Sequence, residues 1–197
     1  MRGEPPMRIR ANARGSFDVD LPEEERELLA LLPGRMLSAL EVLANPDSIV
    51  PDELRRLFPP AYPTDVSAED AYVRLARQDL LDHHREALMV LRDSAEVTHL
   101  DSQGINAWLT ALTDLRLMLG SILGITEDGI ELEPSDPSYY NWICYHYLSQ
   151  LQHEIVTVLS EQLPPLKSEA SERLPDDPWG EPLGGLRWDG TPRPELT

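Results

Sequence analysis

The sequence predicts a mainly α-helical domain of about four main helices, with an N-terminal β-hairpin and an extended C-terminal tail. Three observations predict it. Apolar residues recur at three- and four-residue spacing through the long stretches between Pro22 and Leu163. Period-two alternation flanks a glycine-containing turn near the N-terminus. From Pro164 onward the periodicity stops, and seven prolines fall in the final 34 residues. The expected division is residues 1–163, one helical domain with its hairpin, and residues 164–197, a Pro-rich acidic tail that is disordered or loosely packed.

The elements follow in order. Met7, Ile9 and Ala11 alternate with arginines and Asn12, and Phe17, Val19 and Leu21 alternate with aspartates and Ser16. Ala13-Arg14-Gly15 offers the turn, so the stretch reads as a hairpin whose Arg-bearing strand faces an Asp-bearing one. Pro22 opens the first helix, with Glu23, Glu24 and Glu25 where the helix dipole favours acids. Pro33-Gly34 predicts a kink or a break in it, and Asn45-Pro46-Asp47 its end. A short helix spans Pro51 to Leu57. Ser67-Ala68-Glu69-Asp70 resembles a capping box and opens a long helix to about Arg92, with Val73, Leu80, Leu81, His84, Ala87, Leu88 and Leu91 as its stripe.

The third main helix lies between Asp101, its expected N-cap, and Gly124, its expected stop. Ile105, Trp108, Leu109, Leu112, Leu115, Leu119, Ile122 and Leu123 form its apolar stripe, and Arg116 falls on that same face. Thr126–Gly129 reads as a turn. Val97–Leu100 and Ile130–Glu133 are short extended candidates for pairing with each other. The last helix begins after Pro137 and runs to about Leu163, with Tyr140, Ile143, Cys144, Tyr147, Leu151, Ile155 and Val158 inward.

Charge excludes several functions. The chain has 17 basic and 35 acidic residues, a net charge of −18. Such a field repels DNA, RNA and anionic membranes, so direct nucleic-acid binding is not expected. Arg2, Arg8, Arg10 and Arg14 against Glu4 give the first sixteen residues +3, and hairpin charge pairs account for them. The opening residues lack a signal-peptide apolar region, and no run of 18 apolar residues occurs. A cytoplasmic protein with no membrane association is the expectation. Cys144 is the single cysteine, which fits a reducing compartment and excludes an internal disulfide.

Few residues carry a chemical signal. His146 and His153 are seven apart, too far for one metal ion on one helix, and His83-His84 point in different directions. No GxGxxG, P-loop, GxSxG or HExxH pattern occurs, so neither catalytic nor metal-binding nor cofactor-binding residues are assigned. Cys144 is either a core cysteine or a redox sensor. Trp179 and Trp188 are either anchors of a partner-binding motif or residues packed on the chain's own domain. Arg116 cannot be buried without a partner. Either it pairs with an acid such as Asp79 or Glu154, or it lines a groove that receives an acidic or C-terminal group. Asp114 lies two residues away on a different face and is not its automatic partner.

The stretch NAWLTALTDLRLMLGSILG resembles the signature helix of the actinobacterial oxidative stress regulator (AosR) family, formerly a domain of unknown function. The hairpin leading into LPEEERELLALLPGRML, the segment DELRRLFPPAY and the helix YHYLSQLQHEIVTVL follow in the family's order, so the resemblance covers about Met7 to Leu163. Asn106-Ala107-Trp108 and Asp114-Leu115-Arg116 carry its specificity, and Trp108, Asp114 and Arg116 are candidate structural or partner-binding residues. The resemblance implies a non-enzymatic regulator acting by protein–protein contact in the transcriptional stress response, with a sigma factor or RNA polymerase element as partner. The family's genes often lie beside that of the Clp protease adaptor, which implies an accessory role in proteolysis as the alternative. A helical small-ligand or metal-binding protein is the third reading, and a homo-oligomer is compatible with each. The family's redox switch relies on a closely spaced cysteine pair near the N-terminus, and this chain has no such pair.

Overall fold

A computed structural model describes residues 7–45, 47–126 and 130–162. Among them lie three short strands and four long helices: β1 (Ile9–Ala11), β2 (Phe17–Val19), α1 (Glu23–Val42), α2 (Val66–Asp93), β3 (His99–Leu100), α3 (Ser102–Ile122) and α4 (Tyr139–Glu161). The mainly helical fold with an N-terminal hairpin is therefore as the sequence predicts. Trp179 and Trp188 lie outside the described residues, as do the rest of the tail and residues 127–129 of the expected turn.

The hairpin pairs Ile9 with Val19 and Ala11 with Phe17. Gly15 supplies the turn's left-handed backbone, with φ of 75°. β3 adds to the other edge of β2, with Phe17 opposite Leu100. The 97–100 segment thus pairs with the hairpin, not with 130–133. Its partner is chosen by burial: Ile9, Phe17, Val19 and Leu100 all turn inward against the helices. Only the outermost cross-strand ion pair, Arg10 with Asp20, joins the two hairpin strands.

α1 is continuous through Pro33, so the expected break does not occur. Proline removes one backbone hydrogen bond, but here its ring falls on the buried stripe Leu29, Pro33, Met36 and Leu40, where packing offsets the loss. Arg26 clasps the base of the fold by donating to the carbonyls of Leu21, Ala95 and Val97. The expected short helix is a 3-10 turn, Asp52–Leu54, which buries Leu54. α2 starts at Val66, capped by Asp65, rather than at Ser67. The Asp65 carboxylate accepts from the Ala68 N–H at 3.0 Å, the bond that an N-cap makes.

α3 starts and stops where the sequence places it. Asp101 accepts from the Gly104 N–H at 2.7 Å, and Gly124 follows the last turn with φ of 65°. α3 is the central helix, touching α1, α2, α4 and the 3-10 turn. Its buried set is accordingly wider than one stripe and includes Ala111, Asp114, Met118 and Gly120. On α4 the buried stripe is Cys144, Leu148, Leu151, Ile155 and Val158. Tyr140 and Ile143, expected inside, are 64% and 44% exposed. They lie beyond the edge of that stripe on the first turns of the helix.

Candidate functional site

The three signature residues of α3 point in different directions and have different neighbours. Trp108 is fully buried, and its indole N–H donates to the Ser94 hydroxyl at 2.8 Å. Ser94 caps the C-terminus of α2 and donates in turn to the Val90 carbonyl. Trp108 therefore fills the α2–α3 interface and fixes where α2 ends. A buried indole needs such a partner, because an unpaired N–H is costly.

Asp114 is the buried charge of the core. Its side chain is 5% exposed, and its Oδ2 lies 2.7 Å from Nδ1 of His84 on α2, itself 12% exposed. The carboxylate accepts from Nδ1–H and so fixes the ring's orientation. Nε2 of His84 is buried and has no hydrogen-bond partner among the described residues. The Phe58 ring meets the imidazole edge-on, with centroids 5.4 Å apart. The His84–Asp114 pair thus joins α2 to α3 beneath the segment after the 3-10 turn.

Arg116 is half-buried and takes no carboxylate. The expected pairing with Asp79 or Glu154 does not occur. Its Nε donates to the Ser149 hydroxyl at 2.8 Å, Nη1 to the Gln152 amide oxygen, and Nη2 approaches the Tyr145 hydroxyl at 3.5 Å. Its guanidinium carbon lies 5.3 Å from the centre of the Tyr145 ring, a cation–π distance. Gln152 then donates to Thr113 at 2.9 Å, so the cluster laces α3 to α4 through neutral groups.

Glu154 pairs with Arg8 of β1 instead. Arg8 Nη2 and Nε reach Glu154 Oε1 at 2.6 and 3.0 Å, and Nη1 reaches Glu25 of α1 at 3.0 Å. Tyr147 donates to the same Glu25 oxygen at 3.0 Å. Burial opposes the Arg8 charge, but the two carboxylates outweigh it and raise its pKa. Burial, and then the Glu25 charge, push the Tyr147 phenol well above its usual range. This network ties the hairpin to α1 and α4. Its contacts between α4 and the N-terminal residues span more than 120 positions in sequence, so no local pattern could have found it.

Cys144 is buried on α4, and burial pushes its thiol above the ordinary range. Its environment disfavours thiolate. Alkylation of native protein by iodoacetamide at neutral pH is expected to be markedly slower than in urea, since burial both shields the thiol and disfavours its thiolate. Equal rates would show Cys144 to be reactive in the fold. Among the described residues no group of three or more His, Cys, Asp or Glu is placed to hold a metal ion.

None of these polar clusters meets another signature residue: Trp108, Asp114 and Arg116 serve three separate contacts. The missed partners, His84, Ser94, Ser149 and Gln152, have one weak sequence signal in common. Each is a polar residue close to an otherwise apolar helical stripe.

The fold has no match among solved structures. Curated relatives do match. Proteins named oxidative stress regulator AosR from Mycobacterium bovis and from Mycobacterium tuberculosis strain H37Rv are each 34% identical over 122 residues, covering 58% of this chain and 55% of the relative. A Mycobacterium leprae protein is 32% identical over 119 residues. The chain thus spans about half the length of the curated relatives it matches. The family described as Domain of unknown function (DUF2017) matches residues 6–159, a span that includes the hairpin, the signature helix and nearly all of α4. The chain belongs to the DUF2017 family.

Proposed function

We propose that this chain is a non-enzymatic regulator that acts by protein–protein contact in the transcriptional response to oxidative stress, with a sigma factor or RNA polymerase element as its partner. The observation that carries this reading is its similarity to curated relatives named oxidative stress regulators. Two features of the chain are compatible with it. Trp108, Asp114 and Arg116 spend their polar groups on packing helices. Apolar side chains elsewhere stand exposed on the surface, with Ile49 at 86% and Tyr62 at 50% exposure.

The regulator works in the cytoplasm and without an intramolecular disulfide, because the chain holds one cysteine. No described helix is long and apolar enough to cross a membrane. The test is capture of the tagged full chain from its native cells, with and without peroxide. A sigma factor or polymerase subunit, recovered in near-stoichiometric amount, is expected. Recovery of Clp protease subunits in their place would overturn the transcriptional reading in favour of the proteolytic one.

A further inference from the structure

Two guanidiniums lie close to Tyr145 on the α3–α4 surface. Arg116 lies against Tyr145 as described. Arg56, from the segment after the 3-10 turn, reaches α3 at Gly120 close by. A Cβ on the buried Gly120 would stand 3.5 Å from Arg56 Nη1 and 3.6 Å from Tyr145 Cε2. Glycine at 120 therefore lets the Arg56 head and the Tyr145 ring close over the helix backbone. Arg56 Nη2 donates to the Ile125 carbonyl at 2.9 Å, which fixes the guanidinium without neutralising it.

Among the described residues, the two arginines are held yet unneutralised. Ion pairs among the described residues take up Arg8, Arg10, Arg55, Arg85 and Arg92, but neither Arg56 nor Arg116. In a chain with 35 acidic residues, a carboxylate partner was available in composition. Every acceptor that the described residues give these two cations is neutral. Their positions are preorganised, so an incoming anion does not have to order them.

Aromatic rings continue the surface along α4. The Tyr145 and His146 rings meet at 5.7 Å, and His146 meets Trp142 at 4.4 Å. Arg56 and His146 are exposed, and Arg116, Trp142 and Tyr145 are half-buried. Arginine, tryptophan and tyrosine side by side are the residues that dominate binding energy at protein interfaces.

We infer that Arg56 and Arg116, with Trp142 and Tyr145, form a docking surface for an acidic peptide segment of a protein partner, its carboxylates meeting the guanidiniums and its apolar side chains the rings. This rests on the protein-contact reading above and names the chemistry of one contact. A nucleic acid offers the same sign of charge, but a long polyanion also meets the remaining field of a −18 chain. A short acidic segment confines its charge to the patch, within about 8 Å of screening length at physiological salt.

The test is fluorescence anisotropy of the full chain with a fluorescein-labelled peptide of Glu-Glu-Leu repeats, its Gln-Gln-Leu counterpart, and a labelled single-stranded DNA. Salt-sensitive binding of the glutamate peptide alone is expected, with the Trp142 indole resonance shifting in NMR spectra. Arg56→Gln and Arg116→Gln should each weaken it by about fivefold, the upper range for one exposed ion pair. Arg56→Gln is the variant that leaves the α3–α4 lacing intact, so its loss of binding is independent of folding. Equal binding by wild type and the Arg56→Gln protein, or tighter binding of the DNA, would overturn the inference. A partner still captured from cells by the doubly substituted chain would sink this docking surface and leave the regulatory reading standing.

Discussion

Trp108→Ala is expected to lower the stability of the domain by ~3–5 kcal/mol, the range for truncating a fully buried large aromatic. Three losses combine. The largest fully buried side chain leaves a cavity in the α2–α3 interface, between two packed helices. The Ser94 hydroxyl loses the donor that it accepts from. The C-terminus of α2, and with it the turn into β3, loses its lateral support. Since small domains are stable by only about 5–15 kcal/mol, the variant sits near the edge of folding. Trp108→Phe separates the terms, because it keeps an aromatic ring and removes the N–H. It should cost less, on the order of 1–2 kcal/mol, mostly the hydrogen bond and a smaller void. Urea unfolding followed by circular dichroism measures both. A Trp108→Ala protein within about 1 kcal/mol of wild type would show that the signature tryptophan does not hold the helices together.

The fold was legible where local chemistry decides it. Asp101 and Gly124 bound α3 in the sequence and in the structure, because a carboxylate cap and a left-handed glycine act within one turn. The hairpin was legible for the same reason. What escaped was decided by distant partners. His99–Leu100 chose β2 over the 130–133 segment because the hairpin's inner face offered Phe17 to pack against. Pro33 kept its helix because it lies on a buried stripe, a property of the assembled core rather than of the dipeptide Pro33-Gly34. Tyr140 and Ile143 looked inward only because aromatic and apolar residues were counted without knowing which turn α4 would bury.

The candidate site shows the same division. Arg116 was legible as an anomaly, a cation beside an apolar stripe, but its partners were not. Pairing it with Glu154 was reasonable on charge alone, yet Arg8 from β1 holds that carboxylate. Ser149 and Gln152 carry no charge to advertise themselves. Asp114 was the deeper anomaly. A single amphipathic stripe assigns it to the outer side of α3, and that assignment fails because helices surround α3 on more than one side.

Asp114→Ala should therefore be among the most damaging changes outside the large apolar core, at ~2–4 kcal/mol. The carboxylate is 5% exposed, so little of its interaction with His84 is screened by water. Removing it leaves Nδ1 of His84 unpartnered beside an Nε2 that already has no partner. Both polar atoms of a mostly buried ring would then lack hydrogen bonds, and water has little access to restore them. Asp114→Asn tests the geometry apart from the charge, because its amide oxygen can still accept from Nδ1–H. It should recover about half the loss, a neutral acceptor being roughly half as strong as a carboxylate. The decisive variant removes both groups. Replacing a buried polar pair by apolar side chains of similar volume is often neutral, so the double variant His84→Phe, Asp114→Leu should be more stable than Asp114→Ala alone. The double-mutant cycle completed with the single variants His84→Phe and Asp114→Leu should then give a coupling of about 1–3 kcal/mol between the two positions. Additive effects would place the cost of Asp114→Ala in lost packing volume instead and remove the pair from the account of how α2 meets α3.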